Sequence, residues 1–317
     1  MSDKLGFQKR VLFVGIPDMA CVCLEGLFNA GVNIVGVMGP KKSHETYAYF
    51  KSLVEQKNLN FIEWDNLSSP DLIKKLSDLN LDVAVVASFN YKIPKVLLNV
   101  PKDGFINIHP SLLPDYRGGN PYSAVIINGE KETGVSLHFM DECFDTGDII
   151  MQKRIQILPH ETMGSLFNCL NSLGTQMLLD VLTLYEHREL PRFKQPKGNF
   201  ILGNSINGKD TFIDFNKSAK YIERFIRALN PFVCATSIFK NINVRIFTAN
   251  CIEADDENDL PCGAITKVTD DTFYIKTGNG LIEPVTLQFG SYFIGTAKNF
   301  IQVVKPKVGE EFYRWTN

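Results

Sequence analysis

Four short runs in the first third of the chain, residues 11–16, 33–38, 82–87 and 104–108, are apolar with little interruption. A strand with one face in water alternates apolar and polar side chains, whereas a strand buried on both faces does not. Between these runs lie segments with apolar residues at helical spacing. One covers residues 19–30, with Asp18 placed to cap it and Gly31 near its end. Another covers residues 43–57, and Ser69-Pro70 opens a third, with proline near its first position. Residues 61 and 62 add a short strand. Such alternation predicts an α/β fold with a doubly wound, mostly parallel, Rossmann-like sheet covered on both faces. Ligands of such sheets bind beyond the carboxyl ends of the strands.

Further on the pattern changes. Residues 134–140 and 148–157 read as a hairpin around Asp141 to Gly147, and residues 162–188 as a long helix with a stripe of Leu166, Leu170, Leu173, Met177 and Val181. Residues 190–198, punctuated by Pro191, Pro196 and Gly198, read as a linker. The boundary falls near 203–208, giving an N-terminal catalytic domain, 1–205, and a C-terminal domain, 206–317. After a helix at 218–229, the second domain has short strand-like runs at 235–239, 244–248, 263–268, 272–275 and 281–288. Their spacing predicts a small OB-like β-barrel.

The 317 residues carry a net charge of -2, so no global field favours nucleic acid or an anionic membrane. The seven cysteines are scattered without metal-ligand spacing, which predicts reduced thiols, a cytoplasmic protein and no metal site. Residues 1–10 lack the apolar core of a signal peptide, and no apolar run is long enough to span a bilayer.

The chemistry concentrates where the fourth buried run ends, in Asn107-Ile108-His109-Pro110-Ser111-Leu112-Leu113-Pro114. On a strand Asn107 and His109 share one face, and Ile106 and Ile108 the other. A lone buried histidine is ordinarily satisfied by a backbone carbonyl. An amide beside an imidazole can also hold a carbonyl oxygen and move a proton, which points to acyl transfer. Asp145, in Asp141-Glu142-Cys143-Phe144-Asp145-Thr146-Gly147-Asp148, is either a turn residue or a charged partner for that pair. The spacing does not fit an EF-hand calcium loop. Tyr116-Arg117-Gly118-Gly119-Asn120-Pro121 is either a plain turn or the rim of a substrate mouth. The loop Gly15-Ile16-Pro17-Asp18-Met19 lacks GxGxxG, and Pro17 lacks a backbone donor, which argues against a dinucleotide.

Asn107 to Pro114, Tyr116-Arg117-Gly118, Pro121, Asn128-Gly129-Glu130, Thr133-Gly134-Val135 and Asp145-Thr146-Gly147 resemble, in order and separation, the folate-dependent formyltransferase family. Gly15-Ile16-Pro17-Asp18 is similar to that family's first loop. Asp214 to Ala219 and Ile226 to Pro231 are similar to the OB-like C-terminal domain of methionyl-tRNA formyltransferases and of related sugar-modifying and folate-hydrolysing enzymes. The resemblance implies N10-formyltetrahydrofolate as donor and Asn107, His109 and Asp145 as the catalytic set. Asn107 and a protonated His109 would then bind the oxyanion, or His109 would take the amine's proton. Asp145 would orient His109 and raise its pKa, or act through water. The resemblance also places the pterin between the segment holding Ser88, Phe89, Tyr91 and Ile93 and the loop of Asp141, Glu142 and Phe144. The acceptor would meet Ser111, Tyr116, Arg117 and Gly118.

The acceptor amine is the open question. From residue 206 onward there are 13 Lys plus Arg against 13 Asp plus Glu, a net of zero, and residues 253–259 form an acidic run. A tRNA binder needs a basic face. The segment where the family's tRNA enzymes carry a basic insertion is the short Gly39-Pro40-Lys41-Lys42-Ser43-His44-Glu45-Thr46. We therefore expect a nucleotide-linked amino sugar as acceptor, with methionyl-tRNA the disfavoured alternative. Hydrolysis of the donor by water is a further alternative. Exposed apolar strands in the C-terminal domain would allow a homodimer.

Overall fold

The structure is a computed structural model describing residues 7–16, 19–41, 47–254 and 259–314. The cap expected of Asp18, Pro17, the beginning of the second helix, most of the segment 39–46, residues 1–6 and the centre of the acidic run lie outside the described residues.

Seven strands form the first sheet: β1 (Val11–Gly15), β2 (Ile34–Pro40), β3 (Phe61–Trp64), β4 (Val83–Ala87), β5 (Phe105–His109), β6 (Glu132–Phe139) and β7 (Ile149–Gln156). The helices among and after them are α1 (Met19–Asn29), α2 (Tyr47–Gln56), α3 (Pro70–Ser77), α4 (Lys95–Leu98), α5 (Pro121–Asn128) and α6 (Met163–His187). The strand order is β3-β2-β1-β4-β5-β6-β7, with β1 to β5 parallel and β6 and β7 antiparallel. This is the doubly wound sheet that the unbroken apolar runs require. Every residue of β4 is fully buried, and each Val sealed this way contributes about 1.5–3 kcal/mol. Polar side chains on either face of such a strand would forfeit that gain. The antiparallel hairpin β6–β7 then brings its own residues directly opposite the end of β5.

The second sheet contains β8 (Ala235–Phe239), β9 (Ile242–Ile252), β10 (Ile265–Val268), β11 (Phe273–Lys276), β12 (Leu281–Phe289) and β13 (Phe293–Thr296), in the order β10-β11-β12-β9-β8 with β13 on β12. Residues 310–313 bridge its two ends. Phe312 N donates to Gly263 O at 2.8 Å, while Ile238 and Tyr313 exchange backbone bonds at 2.9 and 3.0 Å. That segment closes the barrel. Inside it Phe239, Phe273, Phe300 and Phe312 pack ring against ring. Two helices belong to this unit, α7 (Ala219–Leu229), capped by Ser218, and α8 (Ala297–Val304), opened by a Thr296/Asn299 capping box.

The chain divides into one unit of residues 1–121, 132–156 and 168–202 and another of 122–131, 157–167 and 203–317. The expected division at 205/206 thus misses two segments that group with the second unit. Tertiary bonds hold them there. Ser123 Oγ donates to Ala228 O at 2.6 Å, and Gly164 N donates to Asn230 O at 3.1 Å. The expected linker, 190–198, is instead bound to the first unit. Phe193 and Ile149 exchange backbone bonds at 2.8 and 2.9 Å. Among the described residues no helix is long and apolar enough to cross a membrane.

Candidate active site

β5 ends in Asn107 and His109 on one face, with Phe105 below them on the same face, as the two-residue period requires. Ile108 points the other way, towards Gly174 of α6. The pairing with β6 sets what these two side chains meet. Asn107 lies opposite His138, and His109 lies opposite Ser136. Cross-strand partners of this kind sit within side-chain reach.

His138 Nδ1 lies 2.8 Å from the carbonyl oxygen of Phe139. A carbonyl only accepts, so Nδ1 carries a proton, and Nε2, which also lies 3.6 Å from Asp145 Oδ1, is an acceptor in the tautomer with no second proton. Asn107 meets that Nε2 with its amide nitrogen at 3.1 Å and Asp145 Oδ1 at 3.4 Å. Both neighbours accept, so the amide must present Nδ2 to them. By the same reasoning His109 donates from Nε2 to the carbonyl of Tyr116 at 2.9 Å. Its Nδ1 then faces Asp145 Oδ1 at 3.6 Å. Asp145 Oδ2 accepts from the backbone N–H of Gly118 at 2.9 Å.

His109 is 3% exposed. Burial depresses its pKa below the ordinary 6.5; Asp145 opposes this, while His138 and Arg117 add to it. Asp145 does raise the His109 pKa, as expected, but the cost of burying an imidazolium outweighs that attraction, so His109 rests neutral and not protonated as one expected role requires. Asp145 is depressed below the ordinary carboxylate 3.8; burial works against its charge, but His109, His138 and the Gly118 amide outweigh it. A neutral base thus stands beside a fixed negative charge.

The loop after β5 is braced rather than open. Ser111, fully buried, donates from Oγ to Asp115 O at 2.8 Å, and its own carbonyl accepts from Ser136 Oγ at 2.6 Å. Gln152 Nε2 donates to Leu113 O and Ser136 Oγ at 2.9 and 2.8 Å. Ser111 therefore shapes the loop and has no surface to offer a substrate. Tyr116 is likewise buried and supplies its carbonyl to His109. Arg117 donates from Nη2 to Gln195 Oε1 at 2.5 Å. Gln195 Nε2 in turn donates to the carbonyls of Asp145 and Gly147 at 2.9 and 2.8 Å. Ser88, Tyr116 and Asp145 all have left-handed backbones, with φ of 54°, 62° and 56°. Such residues cost about 1–3 kcal/mol each and persist only where their surroundings hold them.

The expected donor-binding residues come from two segments of the first unit, with Phe89, Ile93 and Met140 packed on one core cluster. Asp141 and Glu142 line a cavity of about 660 Å³ with Leu98, Asn99, Phe105 and Met140. Ser88, Phe89, Tyr91 and Ile93 do not line it. Phe89 and Tyr91 stack instead around Trp64, with ring centroids 6.0 and 4.9 Å from it. Ile93 is buried with Leu97 and Phe105, and Phe144 is 51% exposed. Sequence reasoning missed His138, Ser136 and Gln195. His138 carried one usable signal, a second polar residue on a buried strand. Its register against Asn107 is not legible, because 22 residues separate the two strands.

A strand-end amide, a neutral imidazole and a carboxylate at the end of a parallel sheet form a class of site suited to acyl transfer. Comparison with known proteins agrees. The formyl transferase family matches over residues 29–182, and its C-terminal domain over residues 205–305. The methionyl-tRNA formyltransferase of Halothermothrix orenii is 32% identical over 313 residues, covering 95% of this chain and 99% of its own. That of Thermotoga neapolitana is 33% identical over 285 residues, covering 88% and 90%. Among solved structures, the N-formyltransferase of Helicobacter canadensis, in complex with folinic acid and dTDP-3-aminofucose, superposes with a TM-score of 0.65 at 20% identity, covering 87% of this chain and 98% of that one. This chain belongs to the formyltransferase family and transfers the formyl group of N10-formyltetrahydrofolate.

These relatives overturn the expectation of a nucleotide-linked amino sugar as acceptor. Relatives at about a third identity over most of the chain are methionyl-tRNA enzymes, whereas the sugar enzyme, at 20% identity, shows a likeness of fold. The charge argument failed for a physical reason. Net charge sums over a whole domain, but a phosphate feels charges only within a Debye length of about 8 Å. Acidic residues elsewhere on the domain do not cancel a basic patch beyond that distance.

Proposed function

We propose that this protein is a methionyl-tRNA formyltransferase, formylating the α-amino group of methionine on its tRNA. The observation that carries this reading is the end-to-end match to enzymes of that name, in both domains.

The amine attacks the formyl carbon, and the carbonyl oxygen becomes an oxyanion. Asn107 Nδ2 donates to that oxygen, an interaction of a kind that contributes about 3–4 kcal/mol per donor. The 3.4 Å contact to Asp145 is the longer of its two bonds and the one the formyl oxygen replaces. His109 takes the amine's proton at Nδ1, the only nitrogen left free by the bond to Tyr116. The imidazolium so formed lies beside Asp145 Oδ1, and the ion pair offsets the burial that keeps the ring neutral at rest. As the oxyanion collapses the bond from the formyl carbon to N10 breaks, the proton held by His109 passes to N10, and tetrahydrofolate leaves with the amine formylated. The pterin would lie between the segment of Ser88, Phe89, Tyr91 and Ile93 and the loop of Asp141, Glu142 and Phe144. Ser111 and Tyr116 hold the loop in shape, and Arg117 and Gly118 fix Asp145.

The test is tetrahydrofolate release from N10-formyltetrahydrofolate with methionyl-tRNA, with a nucleotide-linked amino sugar, and in buffer alone. Release only with methionyl-tRNA is the expected result. Release with the sugar but not the tRNA, or equally in buffer, would sink the proposal.

A further inference from the structure

His138 is not among the residues whose roles the formyl-transfer reading assigns, yet it is 1% exposed and bonded at both ring nitrogens. Its backbone position is fixed by pairing, since it lies directly across from Asn107 in the β5–β6 ladder. Its ring is fixed by Phe139 O, which requires a proton on Nδ1. In the tautomer that carries only this proton, Nε2 is an acceptor, with Asp145 Oδ1 a further neighbour at 3.6 Å. An asparagine amide has two faces of opposite character, and rotation by half a turn exchanges them. The two orientations are close in shape, so packing alone does not choose between them. Hydrogen-bond partners must.

We propose that His138 is a positioning residue that sets the Asn107 amide with Nδ2 towards the formyl oxygen. It does so by being an acceptor, and the chain of constraint runs from Phe139 O through the His138 tautomer to the Asn107 amide. The flipped amide would place Oδ1 against Nε2, two lone pairs facing at 3.1 Å, and would also set Oδ1 against the Asp145 carboxylate. Both contacts would be repulsive. Asp145 opposes the flip too, but its contact at 3.4 Å is the one surrendered to substrate. During turnover His138 alone holds the orientation. One amide hydrogen stays on His138 Nε2, and the other is delivered to the oxyanion. A reversed amide would turn a carbonyl oxygen towards a developing negative charge, converting a stabilising dipole into a destabilising one.

This inference rests on the formyl-transfer reading but not on the identity of the acceptor, and two measurements keep these apart. The first is a double-mutant cycle on kcat with methionyl-tRNA. His138→Leu removes the acceptor, and His138→Gln restores one through its side-chain oxygen. In the chain carrying Asn107, His138→Leu should lower kcat about tenfold with the donor KM unchanged, and His138→Gln should recover most of that loss. In the Asn107→Ala background His138→Leu should change kcat by less than about twofold, because the residue it acts through is gone. A tenfold loss in both backgrounds means His138 serves the fold and overturns the proposal. The second is 15N-histidine NMR of the unliganded protein, with His138 assigned by His138→Gln. Protonated Nδ1 with bare Nε2 at neutral pH is expected, whereas a proton on Nε2 overturns the proposal. If the wild type is inactive with methionyl-tRNA, the acceptor reading fails and the tautomer alone decides the role of His138.

Discussion

His109 and Asp145 face each other across 3.6 Å, from Nδ1 to Oδ1, without a hydrogen bond between them. The gap is set by the bonds each residue makes elsewhere. His109 gives its one proton to Tyr116 O, and Asp145 is held from behind by Gly118 N. With no proton on Nδ1, the two groups present lone pairs to one another. The arrangement is unfavourable at rest and becomes an ion pair when a proton arrives, so it suits a base that must gain a proton during each turnover.

Because Nδ1 is the base in this scheme, His109→Ala should lower kcat at least about a hundredfold, the range general base catalysis supplies. The donor should still bind with near-normal affinity, since the proposed role of the ring is to take the amine's proton and not to hold the donor. Steady-state kinetics with a parallel donor titration would check this. Near-wild-type turnover would remove His109 from the mechanism.

The depressed His109 pKa has a directional consequence for stability. In the unfolded chain the ring protonates near its ordinary 6.5, whereas in the folded chain it stays neutral to lower pH. Stability is therefore full above 6.5 and declines as pH falls towards the folded value. Asp145 acts in a lower window, its contribution being present above its ordinary 3.8 and lost as pH falls below that. His109→Gln, whose amide can still donate to Tyr116 O, should lose the first dependence and keep the second. The urea midpoint of the wild type should fall more than that of the variant between about pH 7 and about pH 5. Parallel curves would contradict the buried, neutral assignment.

Gln195 offers a separate test of how Asp145 is held. Its amide bonds the carbonyls of Asp145 and Gly147, and its oxygen accepts from Arg117. Asp145 has a left-handed backbone that these contacts maintain. Gln195→Ala should lower kcat about tenfold, by analogy with the loss of groups that orient catalytic ligands. The thermal midpoint should move little, because the rest of the strap formed by residues 190–198 stays anchored through Phe193. An unchanged kcat would show that Asp145 keeps its place without the strap.

The strap also shows where sequence reading stops. Proline and glycine at 191, 196 and 198 read correctly as the end of regular structure, but the loss of period does not reveal what the segment binds. The sheet was legible because burial on both faces writes an unbroken apolar run into each strand. The shared face of Asn107 and His109 was legible because strand period is local. His138 was not, because its partner is set by register across a long connection. The push of Asp145 on the His109 pKa was legible as a charge, but the larger, opposing effect of burial was not, because depth of burial is not displayed in the sequence. The acceptor was misjudged for a similar reason, since a sum of charges carries no positions.

Gly147 closes the loop that carries Asp145, and it sits against the carbonyl of Phe139. A Cβ built there would lie 1.8 Å from Phe139 O and 2.8 Å from its carbonyl carbon, both backbone atoms that cannot rotate away. Phe139 O is also the acceptor that fixes the His138 ring. Gly147→Ala must therefore push the Asp145 loop away from β6 or shift the carbonyl, and either movement disturbs the Asn107, His138 and Asp145 contacts together. The cost should be about 1–3 kcal/mol of stability, the range of overpacking and forced backbone shifts. Activity should fall by more than the loss of folded protein explains. Chemical denaturation gives the first quantity, and turnover per folded molecule gives the second. If Gly147→Ala is as stable and active as the wild type, the loop does not sit against Phe139 as described.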